Sequence, residues 1–253
     1  MGKFANVRSR SIQTKRPLMS QFLNDCLDSF QLTSGWKDTF RSNHSYSQFG
    51  EDKVIRSLLP ERFGSYLDIG AGHPVRNSNS YYLYKLGWHG TLIEPITELA
   101  QTIARKRPRD EVVNCLVATQ NIKAGYTKFF EFHPSELSTA DKARAESLIQ
   151  DGYELIGEYA VTIRDISEFT KVVRPTDPFL LTIDIEGLDY EVLKSINWES
   201  FQPRVIVVEN PIWNHINNSI SALLETENYI NISNHLVSSI YVHQTFSSSE
   251  INT

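Results

Sequence analysis

The sequence contains little cysteine and no excess of positive charge, and both shortages restrict its function. Among 253 residues the only cysteines are Cys26 and Cys115, a spacing that suits neither a metal centre nor a redox pair. We expect both to be buried free thiols, as in proteins of a reducing compartment. The net charge is −5 and the pI is near 5.8. A broad cationic surface is therefore not expected, and neither is a nucleic-acid partner.

Long apolar stretches are also missing. No run of residues is long enough to cross a bilayer, and no signal-peptide core follows the first residue, so we expect a cytoplasmic protein without a membrane span. The first sixteen residues include five Lys or Arg and no acid, which favours a disordered basic tail over a membrane-surface arm. A helix is predicted after it, around residues 18–30. We therefore predict an N-terminal arm and helix over 1–44 and one domain over 45–253.

What the chain does contain is an alternation of short apolar strands and amphipathic helices. Apolar strands without in/out alternation, separated by helices, indicate a doubly wound, mostly parallel sheet with helices on both faces. The predicted strands are 65–69, 90–93, 112–117, 126–132, 158–166, 178–187 and 204–210, with a closing antiparallel pair at 229–232 and 239–243. The predicted helices are 51–59, 77–86, 96–106, 141–152 and 189–196.

Ligands of such sheets bind outside the carboxyl ends of the strands, so the residues after each strand are informative. The first strand is followed by "DIGAGHP", in which Gly70 and Gly72 permit a tight turn. A dinucleotide fingerprint would place a third glycine at Val75, and the helix begins too late to bind a pyrophosphate. The loop therefore favours a nucleoside without a phosphate chain, although an ordinary strand-to-helix turn is the alternative.

Acidic residues follow three further predicted strands. Glu94 is placed to accept hydrogen bonds from a ribose diol, the alternative being a solvated acid at a helix start. After the central strand, Asp184 and Glu186 are candidates for a divalent-cation site or a general base, whereas Asp189 fits a helix cap. An obligatory metal is not favoured.

The last central strand is followed by Glu209 and, six residues later, by His215. A carboxylate and a histidine on a loop at this edge of the sheet are typical of a ligand pocket. An imidazole titrates near neutral pH and can accept a hydroxyl proton. His215 is therefore a candidate base, the alternative being an ordinary packed or surface histidine.

Three blocks, "SYSQFGED", "LDIGAGHPVRNSNSYYLYKLGWHGTLIEP" and "LLTIDIEGLDYEVLKSI", resemble the FkbM family of S-adenosylmethionine-dependent methyltransferases over residues 45–243. One departure is Ser80, where the family usually has Thr. The resemblance implies a Rossmann-like fold of the class I methyltransferase type, with S-adenosylmethionine as cofactor.

The resemblance also implies roles for particular residues. The loop Gly70, Ala71 and Gly72 would hold the methionine and ribose part of the cofactor, and Glu94 the ribose hydroxyls. Val117 and Ala118 would lie at the edge of the adenine, and Gln48 would close over the cofactor. Further residues carried over to the cofactor site are Asp68, Asn79, Pro95 and Asp184.

The reaction that the resemblance implies is O-methylation of a hydroxyl of a sugar, glycan precursor or related small molecule. The base would be His215, Asp184, Glu186 or Glu209. A nicotinamide-dependent oxidoreductase is the alternative enzyme, but its Tyr-x-x-x-Lys pair occurs only in a predicted helix, at Tyr81 and Lys85. A non-catalytic nucleoside-binding module on the same fold is the third hypothesis. The oligomeric state is not predicted.

Overall fold

The computed structural model describes residues 45–118, 124–185, 187–209, 216–234 and 238–246. The predicted N-terminal arm and helix lie outside these residues, so the domain boundary stays a prediction. The strands are β1 (Ser65–Ile69), β2 (His89–Ile93), β3 (Glu111–Val113), β4 (Leu116–Ala118), β5 (Gly125–His133), β6 (Glu154–Asp165), β7 (Phe179–Ile183), β8 (Val205–Glu209), β9 (Tyr229–Asn234) and β10 (Ser238–His243). The helices are α1 (Glu51–Leu58), α2 (Tyr81–Lys85), α3 (Thr97–Lys106), α4 (Lys142–Gln150), α5 (Asp189–Ser195) and α6 (Ile216–Thr226).

Seven strands form the main sheet, in the order β3-β2-β1-β7-β8-β10-β9. All neighbouring strands are parallel except at β10, which runs antiparallel to both β8 and β9. The chain first builds outward from β1 to β3 and then returns to add β7 on the other side of β1. The order therefore reverses between β1 and β7, where a doubly wound sheet opens a crevice for ligands. This confirms the predicted fold class.

Each face of the main sheet buries its own apolar core. On one face Ile55 of α1, Leu83 of α2 and Ile103 of α3 are fully buried. On the other face Val192 of α5 and Leu224 of α6 are fully buried. Strands covered on both sides need apolar residues at every position, which explains the continuous runs that predicted them. Within the described residues no helix is long and apolar enough to cross a membrane.

A second, three-stranded sheet has the order β4-β6-β5, and it corrects the single strand predicted over 112–117. That segment is divided into β3 in the main sheet and β4 in the second. The side-chain amide of Asn114 donates to the carbonyl oxygens of Glu94 and Pro95 at 2.8 and 2.9 Å. Because this contact holds Asn114 at the end of β2, the chain turns there and leaves the main sheet.

Other elements differ from the prediction as well: β6 begins at Glu154 rather than 158, and β7 ends at Ile183 rather than 187. Helix α2 begins at Tyr81 rather than near 77, because Asn77 has a φ of 55°, which lies outside the helical region. No element was predicted over 216–226, where the structure has α6. Cys115 is a buried free thiol, as predicted, whereas Cys26 lies outside the described residues.

Candidate active site

The ends of β1 and β7 are in backbone contact at Gly70. The N–H of Asp184 donates to the carbonyl oxygen of Ile69 at 2.9 Å, and Gly70 has a φ of 81°. A Cβ atom at Gly70 would lie 1.9 Å from the carbonyl oxygen of Asp184, a separation that no side chain tolerates. Gly70 is therefore required by the packing of the sheet itself, in addition to any role toward a ligand.

Gly72 lies on the open side of the same loop. Its φ is 58°, and the nearest atom to an added Cβ would be the Gly70 carbonyl oxygen at 4.0 Å. Its N–H donates to Oε2 of Glu94 at 2.8 Å. Between them, Ala71 is buried and its N–H donates to the carbonyl oxygen of Ile93 at 3.1 Å. The loop thus combines a fixed backbone with free space at Gly72.

Glu94 is buried at the end of β2, with 4% of its surface exposed. Its second oxygen, Oε1, accepts from the N–H of Ile96 at 2.8 Å. Burial raises the pKa of Glu94 to about 7, and the charges of Asp68 and Glu131 add to the rise, while the two backbone N–H groups oppose it. Glu94 is therefore not a solvated acid at a helix start but a fixed, buried acceptor.

Asp68 lies on β1 and is also buried. Its carboxylate accepts a short hydrogen bond from the hydroxyl of Ser80. Burial raises the pKa of Asp68, while the charge of Arg107 lowers it. Through this contact with Ser80, the residue before α2, the carboxylate fixes the segment after the glycine loop.

Arg107, which carried no signal in the sequence, organises this buried cluster. Its surface is 0% exposed, and its Nη2 donates to the hydroxyls of Ser80 and Tyr66, both at 3.0 Å. Its Nε pairs with Asp110 at 2.7 Å. The cluster is a structural support beneath the loop, because none of these side chains reaches the surface.

Asn79 lies between the two buried serines Ser78 and Ser80, and its side chain reaches the neighbouring strand. Its side-chain amide donates to Oγ1 of Thr182 on β7 at 3.3 Å. Thr182 is the register partner of Asp68 on β1, so the contact joins the loop after β1 to β7 at the switch point of the sheet.

The segment Ser45–Gly50, which carries the predicted Gln48, packs on the loop after β1. The N–H of Ser78 donates to the carbonyl oxygen of Tyr46 at 3.0 Å. Buried Asp52 holds the segment by accepting from the N–H of Tyr46 at 2.7 Å and from the hydroxyl of Ser47 at 3.0 Å. Gln48 itself is exposed.

Glu51, the next acid of the same block, has 1% of its surface exposed. Its Oε2 accepts from the N–H of Phe49 at 2.8 Å. Among the described residues its Oε1 is buried and has no hydrogen-bond partner. A buried acceptor without a partner is costly, so this oxygen is suited to a ligand that donates.

The predicted catalytic acids lie at the ends of β7 and β8. The register pairs Ile183 with Val208, which places Asp184 and Glu209 at neighbouring positions on adjacent strands. Asp184 is exposed and Glu209 half-buried. Glu186 and His215 lie outside the described residues. Within those residues no group of three or more His, Cys, Asp or Glu side chains is arranged to hold a metal ion, and the Asp184–Glu186 pair stays a prediction.

The second sheet covers the end of β2. Phe129 and Val161 pack on Ile96, and Val117 and Ala118 are buried in β4. Beside this contact lies an open cavity of about 390 Å³, lined by Thr97, Glu98, Gln101, Glu131 and Tyr159. The Tyr159 hydroxyl donates to Glu131 at 2.8 Å. Burial raises the pKa of Tyr159, and the hydrogen bond to Glu131 and the charges of Glu131 and Glu94 add to the rise. The cavity therefore adjoins the region of Glu94.

His73 is a further loop residue that was not predicted for the site. It follows Gly72, and its Nδ1 accepts from the N–H groups of Val75 and Arg76 at 3.1 and 2.9 Å. The sequence places His73 in "GAGHP", but the spacing of residues does not distinguish a loop histidine that binds its own backbone from one that binds a ligand.

This strand order, the glycine loop after β1 and the buried acid after β2 define the class of the protein: a Rossmann-like fold of the class I methyltransferase type. The family follows from the sequence, because the model of the methyltransferase FkbM domain matches residues 68–230, more than half of the chain. The chain belongs to the FkbM methyltransferase family. No curated protein is significantly similar to it in sequence.

Several methyltransferases are among the solved structures that match this chain. A TehB-like SAM-dependent methyltransferase from Corynebacterium glutamicum is 11% identical with a TM-score of 0.41, and the match covers 89% of this chain and 99% of that one. Magnesium protoporphyrin IX methyltransferase from Synechocystis, solved with bound SAM, is 10% identical with a TM-score of 0.40, covering 92% and 100%. At such identities a match does not identify a substrate.

Proposed function

We propose that this protein is an S-adenosylmethionine-dependent O-methyltransferase that acts on a hydroxyl of a sugar, glycan precursor or related small molecule. The observation that carries the cofactor assignment is Glu94. Each of its oxygens accepts one backbone N–H, and an ionised carboxylate has about four acceptor positions. The two that remain suit the two hydroxyls of a ribose.

Other features of the site suit the rest of this ligand. The space beside Gly72 admits a ligand close to the backbone. The buried Oε1 of Glu51, which has no partner among the described residues, suits a donor such as an ammonium group. The carboxylates of Asp184 and Glu209 line the next strand ends and favour a cation. A nucleoside with a ribose diol, an ammonium group and a sulfonium, but no phosphate, matches these acceptors.

The remaining cofactor contacts are proposed from the family resemblance. Asp68 would act indirectly, through Ser80, by fixing the loop that carries Asn79. Val117 and Ala118 would border the adenine, and Gln48 would close over the cofactor from the exposed side of its segment. The residues proposed to hold or position the cofactor are Gln48, Asp68, Gly70, Ala71, Gly72, Asn79, Glu94, Pro95, Val117, Ala118 and Asp184.

When bound, S-adenosylmethionine supplies an electrophilic methyl group on a positively charged sulfur. The protein aligns the acceptor oxygen with that methyl group. The bound cofactor would supply both the methyl group and the leaving sulfur, which would keep the electron pair of the broken bond, and the hydroxyl proton would pass to a base of the protein. Asp184 and Glu209 are candidates by register, and His215 and Glu186 by sequence alone.

Family membership favours methyl transfer over the nicotinamide-dependent alternative. We expect activity without an obligatory metal, because no third ligand is assured beside Asp184 and Glu186. Loss of activity on chelation, restored by magnesium, would reassign both acids as ligands. The polar cavity beside Glu94 is compatible with a hydroxylated acceptor, which is the class that we propose.

The cofactor assignment is tested by calorimetry with S-adenosylhomocysteine, S-adenosylmethionine and NAD. We expect micromolar binding of the first two and none of NAD. Glu94→Gln removes the charge that the ribose hydroxyls bind and should weaken binding at least tenfold. Glu225→Gln, an exposed acid on α6, is the matched control and should leave binding unchanged. Tight NAD binding without any response to the sulfonium ligand would overturn the proposal.

A further inference from the structure

The hydrogen bonds of His73 fix which of its ring nitrogens carries the proton. Nδ1 lies 3.1 Å from the backbone nitrogen of Val75 and 2.9 Å from that of Arg76. Both backbone groups are N–H donors, so Nδ1 must be an acceptor and carries no proton. The network therefore assigns the neutral tautomer with its proton on Nε2.

This tautomer excludes one role for His73 and leaves another. Because the single lone pair of Nδ1 is shared by two N–H donors and Nε2 carries a proton, the ring is not placed to accept a proton from a substrate. Partial burial and the charge of Arg76 lower the pKa of His73, whereas the charge of Glu136 opposes them. The ring therefore stays neutral and presents Nε2–H as a hydrogen-bond donor.

The Nε2–H group has no acceptor in the described part of the chain, and it belongs to a half-buried ring adjacent to Gly72, where a ligand or solvent can reach it. The loop from residue 69 to 79 contains no acid, and its side chains supply a donor at His73 and a cation at Arg76. The acids nearest the loop belong to other elements: Glu94 accepts from the N–H of Gly72 at 2.8 Å, and the charge of Glu136 acts on His73. The loop is thus the part of the site that is chemically suited to an oxyanion.

We infer that Nε2–H of His73 binds the α-carboxylate of the methionine part of S-adenosylmethionine, while Nδ1 holds the loop in the conformation that presents it. The inference rests on the proposed function, because it assumes that ligand. The carboxylate is the only anionic group of S-adenosylmethionine, so it is the one part of the ligand that the surrounding acids repel and that a neutral donor attracts.

Two ligands separate the two functions of the ring. S-adenosylhomocysteine carries the carboxylate, whereas 5′-methylthioadenosine keeps the nucleoside and the thioether but lacks the amino-acid part. His73→Asn places an amide oxygen near the position of Nδ1, which preserves the bonds to Val75 and Arg76 and removes the Nε2–H donor. His73→Gln places an amide donor near the position of Nε2 and loses the backbone bonds.

Calorimetry with both ligands gives the ratio of their affinities for each variant. We expect His73→Asn to weaken S-adenosylhomocysteine binding by about 10- to 100-fold, as for a hydrogen bond to a charged group, and to change 5′-methylthioadenosine binding by less than about twofold. His73→Gln should weaken both ligands but keep their ratio near that of the wild type. His89→Asn, the same change at an exposed histidine at the start of β2, should alter neither.

Equal effects of His73→Asn on the two ligands, or no effect on either, would overturn the inference while leaving the proposed function intact. If the wild-type protein binds neither ligand, the proposed function fails, and the inference fails with it.

Discussion

The backbone N–H of Gly72 donates to the carboxylate of Glu94 at 2.8 Å, which joins the ends of β1 and β2 at the edge of the crevice. The other oxygen of Glu94 holds the N–H of Ile96 at the start of α3. One buried carboxylate thus fixes both the glycine loop and the first turn of the next helix. A ribose would add to a carboxylate that the fold already orients, so little reorganisation is needed on binding.

The stability of the protein should depend on the protonation of Glu94. Its pKa is raised from 4.5 to about 7, so the folded state favours the protonated form. The stabilisation that comes from protonated Glu94 is fully present below about pH 4.5 and is lost as the pH rises through 7. The buried carboxyl of Asp68 acts in the same direction. Through this group the wild type should lose up to about 3 kcal/mol of unfolding free energy between pH 4.5 and 8. Glu94→Gln should not show this loss, and urea unfolding measures both proteins. Parallel pH curves for the two proteins would contradict this.

Cofactor affinity should show the opposite pH dependence. Ribose hydroxyls donate to the ionised carboxylate, so binding lowers the pKa of Glu94 and releases a proton below pH 7. S-adenosylhomocysteine should bind about tenfold more tightly at pH 8 than at pH 6, and calorimetry in buffers of different ionisation enthalpy should detect the proton. Glu94→Gln should be insensitive to this change of pH. Affinity that falls as the pH rises would mean that the protonated carboxyl is the binding form.

Much of the fold could be predicted because its signals are local. The bounds of β1 are as predicted, since an apolar run that is buried on both faces ends at a glycine on each side. The antiparallel pair of β9 and β10 was also predicted, and the structure confirms it. The position of Glu94 followed from the rule that ligands of a doubly wound sheet bind after the strands.

What could not be predicted depends on contacts between distant residues. The apolar letters from Val112 to Ala118 run on almost without interruption, and only the bonds from Asn114 to the carbonyls of Glu94 and Pro95, 20 and 19 positions away, divide β3 from β4. Arg107 ends an amphipathic helix in a basic stretch, which is typical of a surface residue. Its burial depends on Tyr66 and Ser80, 41 and 27 positions earlier.

The two glycines of the loop should respond differently to substitution. Gly70→Ala places a Cβ 1.9 Å from the carbonyl oxygen of Asp184, so the ends of β1 and β7 must separate, and we expect a loss of at least about 3 kcal/mol or failure to fold. Gly72→Ala meets no atom closer than 4.0 Å and should lose only about 1–2 kcal/mol, the cost of a left-handed alanine. Denaturant unfolding of both variants measures the difference. Equal losses would contradict the distinction.

The buried pair of Arg107 and Asp110 should matter far more than a surface pair of the same length. Arg107→Met leaves the acids of Asp110 and Asp68 buried without their cation and should lower the free energy of unfolding by about 3–5 kcal/mol. Adding Asp110→Asn should recover part of that loss. Lys128 and Glu158 also lie 2.7 Å apart but are exposed, so Lys128→Met should cost less than about 1 kcal/mol. Similar losses for the two methionine variants would show that burial does not decide the effect.

Asn114 should support cofactor binding without touching the cofactor. Its amide fixes the carbonyls of Glu94 and Pro95, and its oxygen accepts from the hydroxyl of Thr97 at 2.9 Å. Asn114→Leu has a similar size but removes the donor from the partly buried carbonyl of Glu94, whereas water can replace it at the exposed carbonyl of Pro95, so we expect a loss of about 1–2 kcal/mol in unfolding. Because the turn positions Glu94, affinity for S-adenosylhomocysteine should also fall, by about tenfold.

Thr97→Val is the graded control for Asn114, since it removes only the exposed bond to the Asn114 oxygen and keeps both carbonyl contacts. We expect it to change the free energy of unfolding by less than about 1 kcal/mol and to leave affinity within about twofold of the wild type.

The pH dependence of binding separates an effect on Glu94 from an effect on stability, because a loss of stability alone would not change it. If Glu94 were displaced, its carboxyl would become exposed to solvent, and its pKa would fall toward 4.5. The rise in affinity between pH 6 and 8 should therefore flatten in Asn114→Leu and persist in Thr97→Val. If Asn114→Leu binds S-adenosylhomocysteine like the wild type at both pH values, the end of β2 does not depend on this side chain for its geometry.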